Sequence, residues 1–296
     1  MGTPTILITT PTGNVGYETL KALRRLPQRP AIQVVAAVRD LTKKTDALDA
    51  LVDTKVQFDF ADPGTFETAL AGISQVLLVR PPQLADVDLY FRPFVEAMRR
   101  AEVQQVVFLS LQGVENNTVT PHYKIEKLLM ESGLAFTFLR PSFFMQNLST
   151  THRDEIASRD ELYMPAGDGR TSFIDVVDIG EVAALTLTDL TGKYRNQAYE
   201  LTGDEALTYR EVATQLSYVL NRPIKYRNPS VLAFIWRKWI GEKMPLSFVL
   251  VMVALYTVAK LGKAAALTPV FREVTGHAPR TFRQFAEANR AVWEKR

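Results

Sequence analysis

ILITTPTGNVGYETLKALRRL, Ile6 to Leu26, is the stretch that decides the fold. Its apolar run Ile6-Leu7-Ile8 has the length of a buried strand. The polar turn from Thr9 to Gly16 then leads into a segment whose Leu20, Leu23 and Leu26 recur at helical spacing. A turn from a buried parallel strand into a helix presents backbone N–H groups at the positive end of the helix dipole, where a phosphate is held. The segment therefore reads as the start of a dinucleotide-binding fold, with Thr10, Thr12, Gly13 and Gly16 in the phosphate turn. A three-glycine turn of this kind would have glycines at 10, 13 and 16, and here Thr10 replaces the first. Gly13 lets the backbone come close to a pyrophosphate, while Gly16, in line with Leu20 and Leu23, faces the sheet. Thr10-Pro11 makes a stiffer turn, because proline fixes its own φ and biases the residue before it toward extended geometry. A tight strand-to-helix turn unrelated to nucleotides would show the same pattern, so the reading depends on its neighbours.

The second apolar run, Val34 to Val38, ends at Arg39. A fold that holds NAD places an acid there for the ribose 2′-OH, whereas an arginine offers a planar fork to a 2′-phosphate. With Lys43 and Lys44 close behind, NADP(H) is favoured and NAD(H) stays admissible; a solvated Arg39–Asp40 pair is the alternative. By topology alone, Asp59 and Phe60 after the third run fall where an adenine is contacted. Val79, Arg80 and Pro81 after the fourth fall beside the nicotinamide ribose.

Apolar runs at 6–8, 34–38, 56–60, 76–79, 106–109 and 136–139 alternate with helical stretches near 14–26, 63–71, 88–101 and 121–132. That alternation predicts an α/β fold, a doubly wound parallel sheet in the order 3-2-1-4-5-6. The core is expected over 1–148 and a smaller, mostly helical cap over 149–296, which could return strands to the core sheet. Thr120 as N-cap, Pro121 at the first position and Gly133 as the stop frame one helix. Asp178 with Glu181, Thr208 with Glu211 and Thr281 with Gln284 have capping-box chemistry in the second half.

The 296 residues carry 35 basic and 32 acidic side chains, a net charge of +3, and 47% are hydrophobic. This describes a globular chain without the basic field that nucleic acid requires. Zero cysteines exclude disulfides, thiolate ligands and a cysteine nucleophile, and fit a cytoplasmic home with no signal peptide. His122, His152 and His277 show no metal-ligand spacing, and no Gly-x-Ser-x-Gly elbow is present. The most apolar stretch, Leu246 to Ala259, is too short to span a membrane and reads as a buried helix, with a surface for self-association as the alternative. Phe234, Trp236 and Trp239 nearby point to an apolar substrate or an apolar interface.

Three places converge above the strand ends in this topology: Ser110, the His122-Tyr123-Lys124 cluster, and Pro141 to Asn147, which includes Ser142. A short-chain dehydrogenase uses a Tyr-x-x-x-Lys pair, in which the lysine holds the nicotinamide ribose and lowers the tyrosine pKa. Lys124 can be that lysine, but the position four residues before it is Thr120. The proton donor must then be His122, Tyr123 or water, unless both side chains are simply surface residues of a helix's first turn.

Taken together, the turn TTPTGNVG, VVFLSLQGVE (106–115), PHYKIEKLLMESGLAFTFLRPSFFMQNL (121–148), SFIDVVDIGEVAA (172–184), YELTGDEALTYREVA (199–213) and TGHAPRTFRQFAEANRAVW (275–293) resemble the bacterial NmrA-like branch of the atypical short-chain dehydrogenases/reductases. The likeness covers nearly the whole chain, and 121–148 is its most specific part. It implies that Gly13, Asn14, Val15 and Gly16 cradle the pyrophosphate and that Arg39 takes the 2′-phosphate. It also implies that Lys124 lies near the nicotinamide, with Pro141, Phe143 and Phe144 as the wall beside it. Thr10-Pro11 departs from that branch's usual Gly-Ala. The activity implied is NADPH-dependent reduction of a small apolar electrophile of the quinone, imine, activated alkene or azo type. The alternative is a regulator that senses NADP(H) without turnover, while sugar-nucleotide epimerisation would need the missing tyrosine.

Overall fold

A computed structural model of the protein describes residues 4–26, 31–43 and 45–295. Six parallel strands, β1 (Thr5–Ile8), β2 (Gln33–Val38), β3 (Thr54–Gln57), β4 (Gln75–Val79), β5 (Gln105–Leu109) and β6 (Phe136–Pro141), lie in the order β3-β2-β1-β4-β5-β6. Ile6 is in register with Val34 on one side and Gln75 on the other, so β1 and β4 flank the point where the winding reverses. The strands are Val/Ile/Leu-rich because both faces are covered by helices. Leu7, Val76, Leu78, Val106 and Phe108 lie in one continuous core.

The third run behaves differently from its reading as a strand. The ladder stops at Gln57, and Phe58 and Phe60 turn into a ring cluster with Phe66, Phe91 and Phe94. Phe60 sits 4.8 Å edge-on to Phe58 and 5.0 Å from Phe91. The apolar signal there marks core aromatics rather than ladder residues.

The chain divides into two compact units. One is the chain through Pro141 with Val176–Leu201; the other is Ser142–Asp175 with the chain from Thr202 onward. This differs from a division at 148 because the short strand β7 (Phe143–Phe144) pairs with a strand of the second unit. The stretch 176–201 meanwhile returns to the first unit. Helix Val176–Thr188 packs on helix Asn14–Arg25 so closely that a Cβ on Gly180 would lie 2.7 Å from the Glu18 carbonyl carbon. Asp178 therefore lies inside that helix rather than capping it. The chain then adds a seventh parallel strand beside β6, with Tyr199 in register with Leu139.

In the second unit, β8 (Glu161–Tyr163), β9 (Arg170–Ile174), β10 (Gln197–Leu201, the first unit's seventh strand), β11 (Ala206–Thr208) and β12 (Lys225–Arg227) complete the count in chain order. Here β11-β9-β7 form one small sheet and β12-β8 another. Thr208 and Thr281 each close a capping box, with Glu211 and Gln284, before helices Tyr209–Leu220 and Phe282–Ala288. Trp293 is fully buried and its indole N–H donates to the Leu148 carbonyl at 3.0 Å.

The helix expected to be buried at 246–259 is Leu246–Lys260, and only one stripe of it faces inward, namely Val249, Met252, Tyr256 and Ala259. Its other faces are open, with Leu250 at 50% and Val251 at 54% exposure. Among the described residues no helix is long and apolar enough to cross a membrane.

Candidate functional site

In the first unit the phosphate turn is built by its own backbone. The Thr10 carbonyl accepts from the Gly13 N–H at 3.1 Å, and Gly13 then serves as N-cap of helix Asn14–Arg25 with extended φ −79 and ψ 163. Glycine at the cap supplies no side chain to the first-turn amides, and that turn holds no acidic residue, so the positive end of the dipole carries no internal anion. Val15 and Gly16 are buried beneath it.

The two glycines serve different purposes. A Cβ on Gly16 would lie 2.1 Å from the Thr10 carbonyl oxygen, so the turn itself demands glycine there. At Gly13 the nearest atom to a Cβ is 3.4 Å away and φ is ordinary, so the chain has no need of glycine for its own folding.

Along the carboxyl edge, three adjacent strands each end in a buried polar atom without a partner: Thr10 Oγ1 after β1, Arg80 Nε after β4 and Ser110 Oγ after β5. Buried polar groups are normally satisfied, so three orphans on adjacent strands at the switch point make this edge a candidate site. Other orphans in this unit lie elsewhere, as with Gln75 and Gln105 at the opposite ends of β4 and β5. The edge is pinned by Thr9, which sequence reading passed over. Its hydroxyl donates to the Leu77 carbonyl at 3.0 Å and accepts from the Val79 N–H at 3.0 Å, tying β1 to β4.

Arg39 is exposed at the end of β2 and makes no hydrogen bond or ion pair with a described residue. The alternative pairing with Asp40 does not occur, because Asp40 Oδ1 accepts from the Thr42 N–H at 2.8 Å and the Thr42 hydroxyl at 2.6 Å. Those bonds hold the Asp40 carboxyl below its ordinary pKa. Lys44 lies outside the described residues. Asp59 is half-buried, and its Oδ1 accepts from the Ala61 N–H at 2.9 Å. The Phe60 ring packs into the core, so at this strand end only its backbone is left for the adenine contact expected by topology.

Arg80 folds over its own loop, one Nη donating to the carbonyls of Pro81, Pro82 and Leu84 at 3.1, 2.9 and 3.0 Å. Burial, and after it the Arg80 charge, hold the His122 imidazole at a pKa of about 3. His122 is therefore neutral at physiological pH, which removes it as an imidazolium proton donor. Thr120 is occupied as well, accepting from the Tyr123 N–H at 3.3 Å and donating to the Asn117 carbonyl at 2.8 Å. On helix Pro121–Ser132, Tyr123 is half-buried and Lys124 exposed, and neither side chain is engaged by a described residue.

The block 121–148 also contains a clamp that the residue types alone did not reveal. Arg140 donates to Glu126 through Nε at 3.0 Å and through Nη2 at 2.6 Å, and to Glu115 at 3.2 Å. Glu126 is buried, so this bidentate pair fixes the helix bearing Lys124 against β6. Pro141 is buried at the end of β6 and its carbonyl accepts from the Gln112 N–H at 3.0 Å. Ser142, Phe143 and Phe144 belong to the second unit. There the Ser142 hydroxyl donates to the Ser172 carbonyl, and β7 runs parallel to β9.

The sequence profile of the NmrA-like family matches residues 2–285. The chain belongs to the NmrA-like family. It is 33% identical over 292 residues to the NAD(P)H azoreductase of Xenophilus azovorans, covering 97% of this chain and 99% of that one. Its fold superposes with a TM-score of 0.84 on the NADPH-dependent quinone oxidoreductase of Escherichia coli solved with NADPH, at 24% identity, covering 98% of this chain and 100% of that one. A negative transcriptional regulator solved with NADP shares the NmrA-like fold at a TM-score of 0.74 and 17% identity, covering 97% and 95%.

Proposed function

We propose that this member of the NmrA-like family is an NADPH-dependent reductase of small apolar electrophiles, of the quinone, azo, imine or activated-alkene type. The observation that carries the reading is the row of orphaned groups on Thr10, Arg80 and Ser110, next to a helix N-terminus with no anion of its own. The relatedness to an azoreductase at 33% identity supports it. When bound, the nicotinamide supplies the hydride. The chain holds the pyrophosphate on the first-turn amides after Gly13 and receives the 2′-phosphate on Arg39, while NAD(H) would lose that contact. Thr10, Ser110 and Arg80 complete their hydrogen bonding on the ligand. Lys124 positions the ribose, and Tyr123 or water supplies the proton in place of a His122 imidazolium. The absence of cysteine supports a cytoplasmic setting.

A regulatory reading is favoured by one feature, the use of Thr120 as a helix cap where a reductase of the short-chain type has its tyrosine. Turnover separates the two. Wild type and Lys124→Met are assayed for NADPH oxidation against quinones, azo dyes, imines and activated alkenes. A reductase turns over at least one class, and the variant loses about 10-fold or more in kcat with a smaller change in NADPH binding. No turnover by wild type, with tight NADPH binding retained, establishes the regulator instead.

A further inference from the structure

Exposed apolar bulk is concentrated on one part of the second unit: of the 19 large hydrophobic side chains exposed among the described residues, 13 lie between Val231 and Leu267. On the helical run from Val231 to Gly241, Leu232, Trp236, Trp239 and Ile240 face outward, opposite the buried Phe234 and Lys238. The neighbouring helix Leu246–Lys260 packs against this run and shows Leu246, Phe248, Leu250, Val251, Leu255 and Val258 to solvent. Exposed apolar side chains gathered on two packed helices in this way are the usual mark of an interaction surface.

Charge decides what would cover it. From Met244 to Arg272 the sequence has no carboxylate. Lys243 before the helix and Lys260 and Lys263 at its end are exposed and have no ion-pair partner among the described residues. The carboxylates at the margins are already engaged, Glu242 by Lys238 at 2.9 Å and Arg159 at 2.7 Å, and Asp168 by Arg210 at 3.7 Å. In a two-fold pair of these helices, parallel or antiparallel, lysine would meet lysine at both ends. The face is therefore not complementary to itself. An anionic lipid surface complements it at every level. The apolar side chains enter the acyl boundary, the two exposed tryptophans lie at headgroup depth, and the lysines reach lipid phosphates. At 15 residues the helix is roughly 22 Å long and can lie on a bilayer but not cross it.

We propose that the outward faces of Val231–Gly241 and Leu246–Lys260 dock on the surface of an anionic lipid bilayer. The proposal is independent of the reductase reading, because its test needs neither NADPH nor turnover.

The protein is floated with vesicles of phosphatidylcholine alone and of phosphatidylcholine mixed with phosphatidylglycerol, while tryptophan emission is recorded. Trp293 is buried, so any emission change reports Trp236 and Trp239. Binding at least about tenfold stronger to the anionic vesicles is expected. It should come with a blue shift and with quenching by brominated acyl chains. The combined variant Lys243→Glu, Lys260→Glu, Lys263→Glu alters only exposed positions and should abolish the preference for anionic lipid. Leu250→Ser with Val251→Ser should abolish the blue shift. Absence of flotation with an unchanged emission overturns the proposal. It is equally overturned by a stable dimer in light scattering that Leu250→Ser with Val251→Ser dissociates, since the face would then join two copies of the chain.

Discussion

Alanine at Gly16 and alanine at Gly13 should fail in opposite ways, although the glycines are three residues apart in one turn. The Gly16 Cβ would lie 2.1 Å from the Thr10 carbonyl oxygen and 2.9 Å from its carbon, both backbone atoms of a turn closed by the Thr10–Gly13 hydrogen bond. That is roughly 1 Å inside ordinary C···O contact, and no side chain can rotate away to relieve it. Overpacking of this kind costs about 1–3 kcal/mol or more, against which alanine recovers up to about 1 kcal/mol of helix propensity. The expected net loss is about 1–2 kcal/mol, with a melting point several degrees lower and NADPH binding impaired along with it. At Gly13 the nearest atom is 3.4 Å away and φ is −79, a geometry that alanine adopts freely. Alanine is the poorer N-cap by about 0.5–1 kcal/mol but gains about as much by restricting the unfolded chain, so stability should hardly move. Its methyl would nevertheless occupy the approach to the first-turn amides. Losing hydrogen bonds to a charged phosphate costs about 1.5–3 kcal/mol, or roughly 10- to 150-fold in affinity. Urea denaturation of each variant together with a fluorescence titration of NADPH separates the two roles. If Gly13→Ala binds NADPH as tightly as wild type, or unfolds as readily as Gly16→Ala, the assignment of Gly13 to a ligand is wrong.

Arg39→Ala should weaken NADPH by about 1.5–3 kcal/mol and leave NADH unchanged, because the side chain has no partner to lose among the described residues; paired titrations that keep the wild-type ratio would refute it. His122→Gln should flatten part of the pH dependence of stability. The folded imidazole titrates at about 3, so the unfolded chain takes up the proton first as pH falls below about 6.5, and stability is lost between those values. At pH 5 that difference amounts to about 2 kcal/mol at most, and urea midpoints at pH 5 and 7 for wild type and variant would expose its absence. Lys238→Met should destabilise the second unit by about 3–5 kcal/mol. It removes the buried ammonium shared by Glu155 and Glu242, leaving Glu155 with His152 alone in the interior, while Glu242 keeps Arg159 at 2.7 Å. A melting point within a degree of wild type would show that the buried cluster does not depend on the lysine.

The local alternation of apolar runs and amphipathic stretches determined the parallel sheet and its order, because period and turn chemistry are properties of neighbouring residues. Thr120, Pro121 and Gly133 likewise announced a helix with N-cap and left-handed stop where the structure has them. The glycine turn was legible too, but that the fold itself demands glycine at 16 and not at 13 depended on the distance from Gly16 to the Thr10 carbonyl, a contact that only the folded turn creates. Tertiary structure also decided whatever residues far apart share. The return of Val176–Leu201 to the first unit, the Glu126–Arg140 clamp and the pKa of His122, depressed by burial and then by Arg80, all require partners brought together from separate helices, strands and loops. Leu246–Lys260 shows the same limit from the other side. Its residues are apolar all round and read as buried, yet burial is set by what the chain packs against each face, and here one stripe is covered while the rest is left facing outward.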